Sequence, residues 1–251
     1  MLPDGLARVL ELPDEARVLD VGGWAAPLNR ADWVIDLKPY ATRGAIMPGG
    51  VGPPPERFTE ERWVVADICS HEPWPFGDDY FDFAVCTFTL EDVRDPIRVC
   101  QEMSRVAEAG YVELPSLLDE LTWMNPEVSG GPWVGHAHHR WLCTLEGDEL
   151  VFLSKFHSLH SRQRLRVPAR AARQLTADER TLSHLWHGRL LAREREAIDS
   201  YPFEELEQAV EERFGRRRAA DRALELLEHT AGLVRRAAGR LRRGSYTTSE
   251  R

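Results

Sequence analysis

Residues 83–114 read FAVCTFTLEDVRDPIRVCQEMSRVAEAGYVEL, and the pattern in this stretch decides the fold. Phe83–Thr87 and Gly110–Leu114 are short apolar runs bounded by Thr, Gly and Pro, which is how buried strands read. Between them, Asp95–Val106 repeats Ile97, Val99, Cys100, Met103 and Val106 near helical spacing. Strand, helix, strand with fully apolar strands predicts parallel pairing, with helices packed on the sheet.

Toward the N-terminus the strand pattern recurs in Arg17–Val21 (RVLDV), Trp33–Leu37 (WVIDL) and Trp63–Ala66 (WVVA). The Gly- and Pro-rich run Met47–Pro55 (MPGGVGPPP) is a loop between them. Residues 1–117 therefore read as an α/β domain, a doubly wound and mostly parallel sheet. In such a sheet ligands bind beyond the carboxyl ends of the strands, near the point where strand order reverses.

Toward the C-terminus the pattern changes. Arg140–Lys155 (RWLCTLEGDELVFLSK) holds two apolar segments around Glu146-Gly147-Asp148, a β-hairpin signal. It is expected to complete the sheet, within a substrate-side insertion spanning 118–200. Leu182–Ile198 suits either a strand or a helix. From Pro202 onward the spacing is helical, first with Phe203, Leu206, Val210 and Phe214, then with Leu224, Leu227, Ala231 and Val234. Residues 201–251 form a basic helical extension, with Gly244–Arg251 fraying at its end.

Composition narrows the function classes. A chain of 251 residues, 43% hydrophobic, can bury a core without disulfides or metals, so a peptide hormone, a collagen-like fibre and a disulfide scaffold are excluded. The cysteines, Cys69, Cys86, Cys100 and Cys143, form no Cys-x-x-Cys pair and fit reduced packing residues of a cytoplasmic protein. From Arg213 on, 11 Arg face 4 acids, a balance of +7; against −9 for the whole chain, residues 1–212 carry −16. An acidic body disfavours a nucleic-acid substrate. On the tail, a solvated helix face is the plain explanation and contact with an anionic partner the other. Acids at Asp4, Glu11, Asp14 and Glu15 interrupt any signal-peptide core. No run of about 18 uncharged apolar residues is long enough to span a bilayer.

Several strand ends carry chemistry. RVLDV runs directly into Gly22-Gly23, where glycine allows a sharp turn and close backbone approach to a ligand. Asp36 ends the next strand, where a carboxylate can accept from the two hydroxyls of a ribose. Val64–Ile68 (VVADI) places Asp67 and Ile68 after the third strand. Farther on stand Pro75, Phe76, Asp78, Phe81 and Asp82, an apolar strand, and then Leu90, Glu91, Val93, Asp95 and Pro96.

This combination resembles the class I S-adenosylmethionine-dependent methyltransferases, in particular the small-molecule group of the type 11 kind, over roughly residues 14–116. The resemblance implies a Rossmann-like methyltransferase fold with S-adenosyl-L-methionine as cofactor. It implies that Asp20, Gly22 and Gly23 form the turn under the methionine part and that Asp36 holds the ribose, with Trp24 and Leu37 further candidate cofactor-binding residues beside them. Asp67 and Ile68 would flank adenine, while Thr87 and Phe88 would face the sulfonium. Two departures stand out: Trp24 occupies a usual glycine position, and only Trp24–Asp32, containing Pro27 and Asn29, separates the first two strands. Trp24 either walls the pocket or obstructs it. A dinucleotide-binding site is disfavoured, because its glycine turn opens a full helix.

Beyond the fifth strand, Gly130–Trp141 (GGPWVGHAHHRW) gathers His136, His138 and His139. An oxygen nucleophile benefits from a base of near-neutral pKa, and histidine supplies one. His139, then His136, are the candidate bases, with Glu91 a further candidate catalytic residue; ring packing against Trp133 and Trp141 is the bland alternative. No metal ligand set is assigned, although a metal-dependent enzyme built on the three histidines is an alternative. Glu113, Pro115 and Ser116 are candidates to line the acceptor pocket, and Trp123 and Trp133 to cover it. The expected activity is methylation, at oxygen, of a sugar or specialised metabolite, a small-molecule acceptor, in biosynthesis. A non-catalytic α/β binding protein with a degenerate pocket is the competing class. A homodimer is compatible with this sequence.

Overall fold

The computed structural model describes residues 1–122, 134–165, 167–197, 200–215 and 223. The strands are Val18–Val21 (β1), Trp33–Asp36 (β2), Trp63–Val65 (β3), Phe83–Thr87 (β4), Ala109–Pro115 (β5), Trp141–Glu146 (β6), Glu149–Ser154 (β7), Thr181–His187 (β8) and Leu191–Glu194 (β9). The main sheet has the order β3-β2-β1-β4-β5-β8. Its first five strands pair in parallel and β8 runs antiparallel to β5, from Ala109 opposite His187 to Pro115 opposite Thr181. The chain starts in the middle, moves out to β3 and returns to β4, so strand order reverses between β1 and β4. This is the doubly wound, mostly parallel arrangement expected from the strand pattern.

Side-chain alternation explains the two covered faces. Leu19, Val21, Ile35, Ala84, Cys86, Val112 and Leu114 point to one core, and Val18, Val34, Phe83, Val85 and Tyr111 to another. The first face is closed by the helix Pro96–Val106, here α2, whose buried residues include Val99, Cys100, Met103 and Val106, four of the five in the helical pattern. Asp95 caps it, its carboxylate accepting the Arg98 N–H at 2.9 Å, with Pro96 next as a preorganised first residue.

The second face departs from the expected helical layering. No helix lies within Trp24–Asp32; Val9 of the helix Pro3–Leu10 (α1) and loop residues Leu28, Ala31 and Phe58 cover that face instead. Pro27 supplies no N–H, and Asn29 draws the chain into loop pairing: its side-chain amide donates to the carbonyls of Gly49 and Gly52, both at 3.0 Å. Its backbone N–H donates to Val51 at 2.9 Å, which turns the 47–55 loop into a cover for the sheet.

A second correction concerns the hairpin. β6 and β7 form it as expected, but with β9 they make a separate three-stranded sheet, β6-β7-β9; the strand that completes the main sheet is β8. The hairpin's inward residues Cys143, Leu150 and Phe152 join the core that contains α2, so hairpin and main sheet meet through side chains. The ambiguous segment thus holds two strands, β8 and β9, one in each sheet. The other side of the small sheet packs Leu142 and Leu153 against Leu206, Val210 and Phe214 of the helix Phe203–Phe214 (α3). All four cysteines are buried and unbridged. No helix among the described residues is long and apolar enough to cross a membrane. The expected helix at Leu224–Val234, the fraying end, the arginines from Arg216 onward, Trp123 and Trp133 lie outside the described residues, apart from Ala223.

Candidate active site

The carboxyl ends of β1 and β4 meet closely. Gly22 turns the chain after β1 with φ of 78°, in the left-handed region, and a Cβ there would stand 2.4 Å from the Thr89 side chain. Both the backbone and the approach of the loop after β4 therefore require glycine. Asp20, 3% exposed, faces back into the turn, its Oδ2 accepting the Leu28 N–H at 2.8 Å. Burial raises its pKa to about 7, opposed by the Leu28 hydrogen bond and helped by the charge of Asp36.

Asp36 ties the first two strand ends together. Its Oδ2 accepts the Trp24 N–H at 3.0 Å and its Oδ1 the Lys38 N–H at 2.8 Å, while burial raises its pKa above the ordinary carboxyl value. The N–H groups of Lys38, Trp24 and Leu37 all oppose that rise. The Trp24 indole N–H donates to Thr42 Oγ1 at 2.9 Å and its ring packs on the core beside α1. This anchors the bulky residue at the usual glycine position to the 40–42 turn.

At the other strand ends, Phe88 has φ of 51° and is 46% exposed, held by its N–H donating to the Glu113 carbonyl at 2.8 Å. A bulky residue in this conformation is strained, and such strain persists only where the surroundings over-determine it. Thr87 is partly buried and Leu37 is 64% exposed. The Asp67 carboxylate accepts from Arg94 Nη1 at 2.6 Å and from the Cys69 N–H at 2.9 Å, and the Arg94 bond leads in holding its pKa low. Ile68 belongs to the core, 7% exposed. Asp20, Gly22, Gly23, Trp24, Asp36 and Leu37 thus cluster in and just after the ends of β1 and β2, Thr87 and Phe88 lie at the end of β4, and Asp67, after β3, is held by Arg94.

The histidine segment lies over the loop after β4, where the Arg140 N–H donates to the Glu91 carbonyl at 2.7 Å and the Trp141 indole to the Val93 carbonyl at 2.9 Å. His139 Nδ1 is 2.6 Å from Oε2 of Glu120, a fully buried carboxylate that also pairs with Lys155 Nζ. Burial pushes the Glu120 pKa up, but the His139 hydrogen bond and the Lys155 charge outweigh it and hold it below the usual value. An ionised Glu120 accepts from Nδ1–H, so in the neutral ring the lone pair of His139 sits on Nε2. Gly135, with φ of 65°, rests directly on Glu120: a Cβ there would lie 2.2 Å from its carbonyl oxygen. Burial chiefly, with His139 beside it, lowers the pKa of His136.

Glu91 is 1% exposed with Oε2 unpaired; burial, with Asp92 and Glu120 adding repulsion, raises its pKa to about 8. Glu113 does not face the histidines: it accepts from Tyr111 Oη at 2.7 Å and the Leu2 N–H at 2.6 Å, which holds the start of α1. Ser116 caps the helical turn Leu117–Glu120. The pattern in the sequence missed Glu120, Lys155 and Arg94. One signal was present: among 32 basic residues only Lys38 and Lys155 are lysine, and Lys155 Nζ reaches the candidate His136, donating to its carbonyl at 3.0 Å.

Residues 49–112 match the family model described as a methyltransferase domain. The segment runs from the loop before β3 into β5 and contains the whole Pro75–Pro96 motif, while Asp20–Trp24 and Asp36 lie upstream of it. No curated protein matches the chain. Solved structures with similarity include an S-adenosylmethionine-dependent methyltransferase from Mesorhizobium loti, 18% identical with a TM-score of 0.32 over 49% of this chain and 59% of the other. A SAM-dependent methyltransferase from Aquifex aeolicus is 18% identical, TM-score 0.31, over 46% and 64%. The [4+2]-cyclase SpnF is 20% identical, TM-score 0.33, over 53% and 52%. The chain thus spans roughly half to two-thirds of the length of these structures.

Proposed function

We propose that the protein is an S-adenosylmethionine-dependent methyltransferase that methylates an oxygen of a small polar acceptor, a sugar or specialised metabolite, in the cytoplasm. The observation that carries this proposal is the methyltransferase-domain match at 49–112 on a doubly wound sheet with Gly22 and Phe88 beside its reversal point and Asp36 at the end of the adjacent β2. The strand ends suit the cofactor: Leu37, Val65 and Phe88, at or just beyond the carboxyl ends of β2, β3 and β4, expose 64%, 58% and 46% of their surfaces, an apolar rim for a nucleoside to cover. Gly22 and Gly23 would give the methionine part close backbone approach, Asp36 would offer its carboxylate to the ribose, and Leu37 would lie against the base. Asp67 would meet an adenine amino group in competition with Arg94.

When bound, the cofactor supplies an electrophilic methyl group on a sulfonium. The chain's part is alignment and proton removal. Thr87 and Phe88 would set the methyl-facing wall, and the strained Phe88 backbone would fix the ring that does so. His139 would accept the acceptor's proton on Nε2, its Nδ1–H held by Glu120, and Lys155 would keep Glu120 ionised. His136 would orient the acceptor, with Glu91 beneath the loop between them.

Because Asp20, Asp36 and Asp67 all accept hydrogen bonds from the protein itself, a binding protein without turnover is the second reading. Incubation with methyl-labelled cofactor and a panel of hydroxylated small molecules separates the two. Label transfer that falls about 10²–10⁴-fold in His139→Ala supports the enzyme. Full turnover in that variant removes His139 as the base, and no transfer to any acceptor favours the second reading.

A further inference from the structure

Asp92 and the three histidines are placed for something other than ring packing. The ligand-capable atoms of His136, His138 and His139 all lie within 4.8 Å of one another. Asp92 Oδ1 stands 3.8 Å from His139 Nε2, and Asp92 Oδ2 stands 3.9 Å from His138 Nε2. These gaps exceed hydrogen-bond length, so each carboxylate oxygen faces an imidazole nitrogen without bonding to it. Asp92 Oδ1 is itself a buried oxygen with no hydrogen-bond partner. Two ligands on one zinc ion, each at about 2.0–2.1 Å, stand roughly 3.4 Å apart in tetrahedral geometry. The two Asp92 gaps close with shifts of about half an ångström, and the histidine nitrogens, within 4.8 Å of one another, draw together by at most about 1.4 Å.

The surroundings match what a metal ligand needs. His139 donates its other ring N–H to Glu120, which fixes the tautomer and directs the Nε2 lone pair toward Asp92, the carboxylate–histidine arrangement that orients ligands from behind. Lys155 donates to the His136 carbonyl at 3.0 Å, which holds that residue's backbone, and Gly135 lets the segment lie flat on Glu120. Three imidazoles and a carboxylate form a nitrogen and oxygen set of the borderline type that suits zinc.

We infer that His136, His138, His139 and Asp92 form a binding site for a divalent transition-metal ion of the zinc class. Four protein ligands close the coordination sphere, so the ion staples the histidine segment to the loop after β4 beside the proposed acceptor pocket. Occupancy withdraws the His139 Nε2 lone pair from proton transfer, so metal binding and the base role exclude each other on one molecule. The site does not depend on methyl transfer.

Calorimetric titration of the untagged full chain with zinc chloride tests it, with cobalt substitution as a spectroscopic reporter. The expected result is one ion per chain, visible absorption of four-coordinate cobalt, and affinity lower by at least about tenfold in His138→Ala and Asp92→Asn. His138 is 66% exposed at its side chain, so its replacement leaves the fold intact, and His71→Ala serves as an unaffected surface control. Substoichiometric binding, or equal affinity in wild type and both variants, overturns the site. Asp36→Ala, which tests the cofactor proposal, leaves zinc affinity unchanged, so the two proposals fail separately.

Discussion

His139 Nδ1 and Glu120 Oε2 stand 2.6 Å apart, and Glu120 has no solvent exposure while pairing with Lys155, itself 4% exposed at its side chain. One buried carboxylate thus orients an imidazole and neutralises an ammonium. Replacing Glu120 by Ala strands a buried charge, a change that typically costs about 3–5 kcal/mol. Urea unfolding of Glu120→Ala should show a loss of that size, and Glu120→Gln combined with Lys155→Met should recover much of it. A loss within about 0.5 kcal/mol, the usual effect of a surface change, would mean that Glu120 is not the buried anchor of the segment.

Gly22 is constrained twice, by its φ of 78° and by Thr89 lying 2.4 Å from the position of a Cβ. Gly22→Ala should destabilise by about 1–2 kcal/mol from the backbone alone, and more from the contact. The double variant with Thr89→Gly, which also removes the Thr89 Cβ 2.9 Å from that position, should recover the contact part and leave the backbone part. Chemical denaturation of the three proteins checks this; a neutral Gly22→Ala contradicts the described turn.

Asp20 makes stability depend on pH in an unusual direction. Its folded pKa, about 7, lies above the ordinary 3.8, so the folded state holds the proton more tightly than the unfolded chain does. The associated stability is fully present below pH 3.8 and is lost as pH rises through about 7. Asp20→Asn keeps an acceptor for the Leu28 N–H and removes the titration. Its melting temperature should gain on wild type between pH 5 and 8, and parallel pH profiles would count against the assignment.

Asp95 closes the N-terminus of α2 through the Arg98 N–H. Asp95→Ala should cost about 1 kcal/mol of stability, within a range of about 0.5–2 for such caps. Thermal unfolding measures it, and no change would show that the cap is replaced locally.

Much of this fold was legible because period-2 and helical patterns act locally. The β1, β2, β4 and β5 runs and the buried face of α2 follow from residues a few positions apart. The hairpin's sheet was not legible, because whether Cys143, Leu150 and Phe152 join a sheet edge or cover α2 depends on what occupies that edge, and β8, some thirty residues later, does. Loop 47–55 as a substitute for a helix was hidden for the same reason: it depends on Asn29 reaching the carbonyls of Gly49 and Gly52. At the candidate site, strand-end acids and glycines announced themselves by position. Glu120 did not, since LLDE after a capping serine reads as an ordinary exposed turn, and only the tertiary approach of Lys155 and His139 gives it a role.

The central claim, that the turns after β1 and β2 receive a nucleoside cofactor, is tested most directly by calorimetric titration with S-adenosylhomocysteine. One site per chain in wild type, lost in Asp36→Ala while circular dichroism remains native, is the predicted result. No heat of binding to the folded wild type, or equal binding by the Asp36→Ala variant, would contradict it.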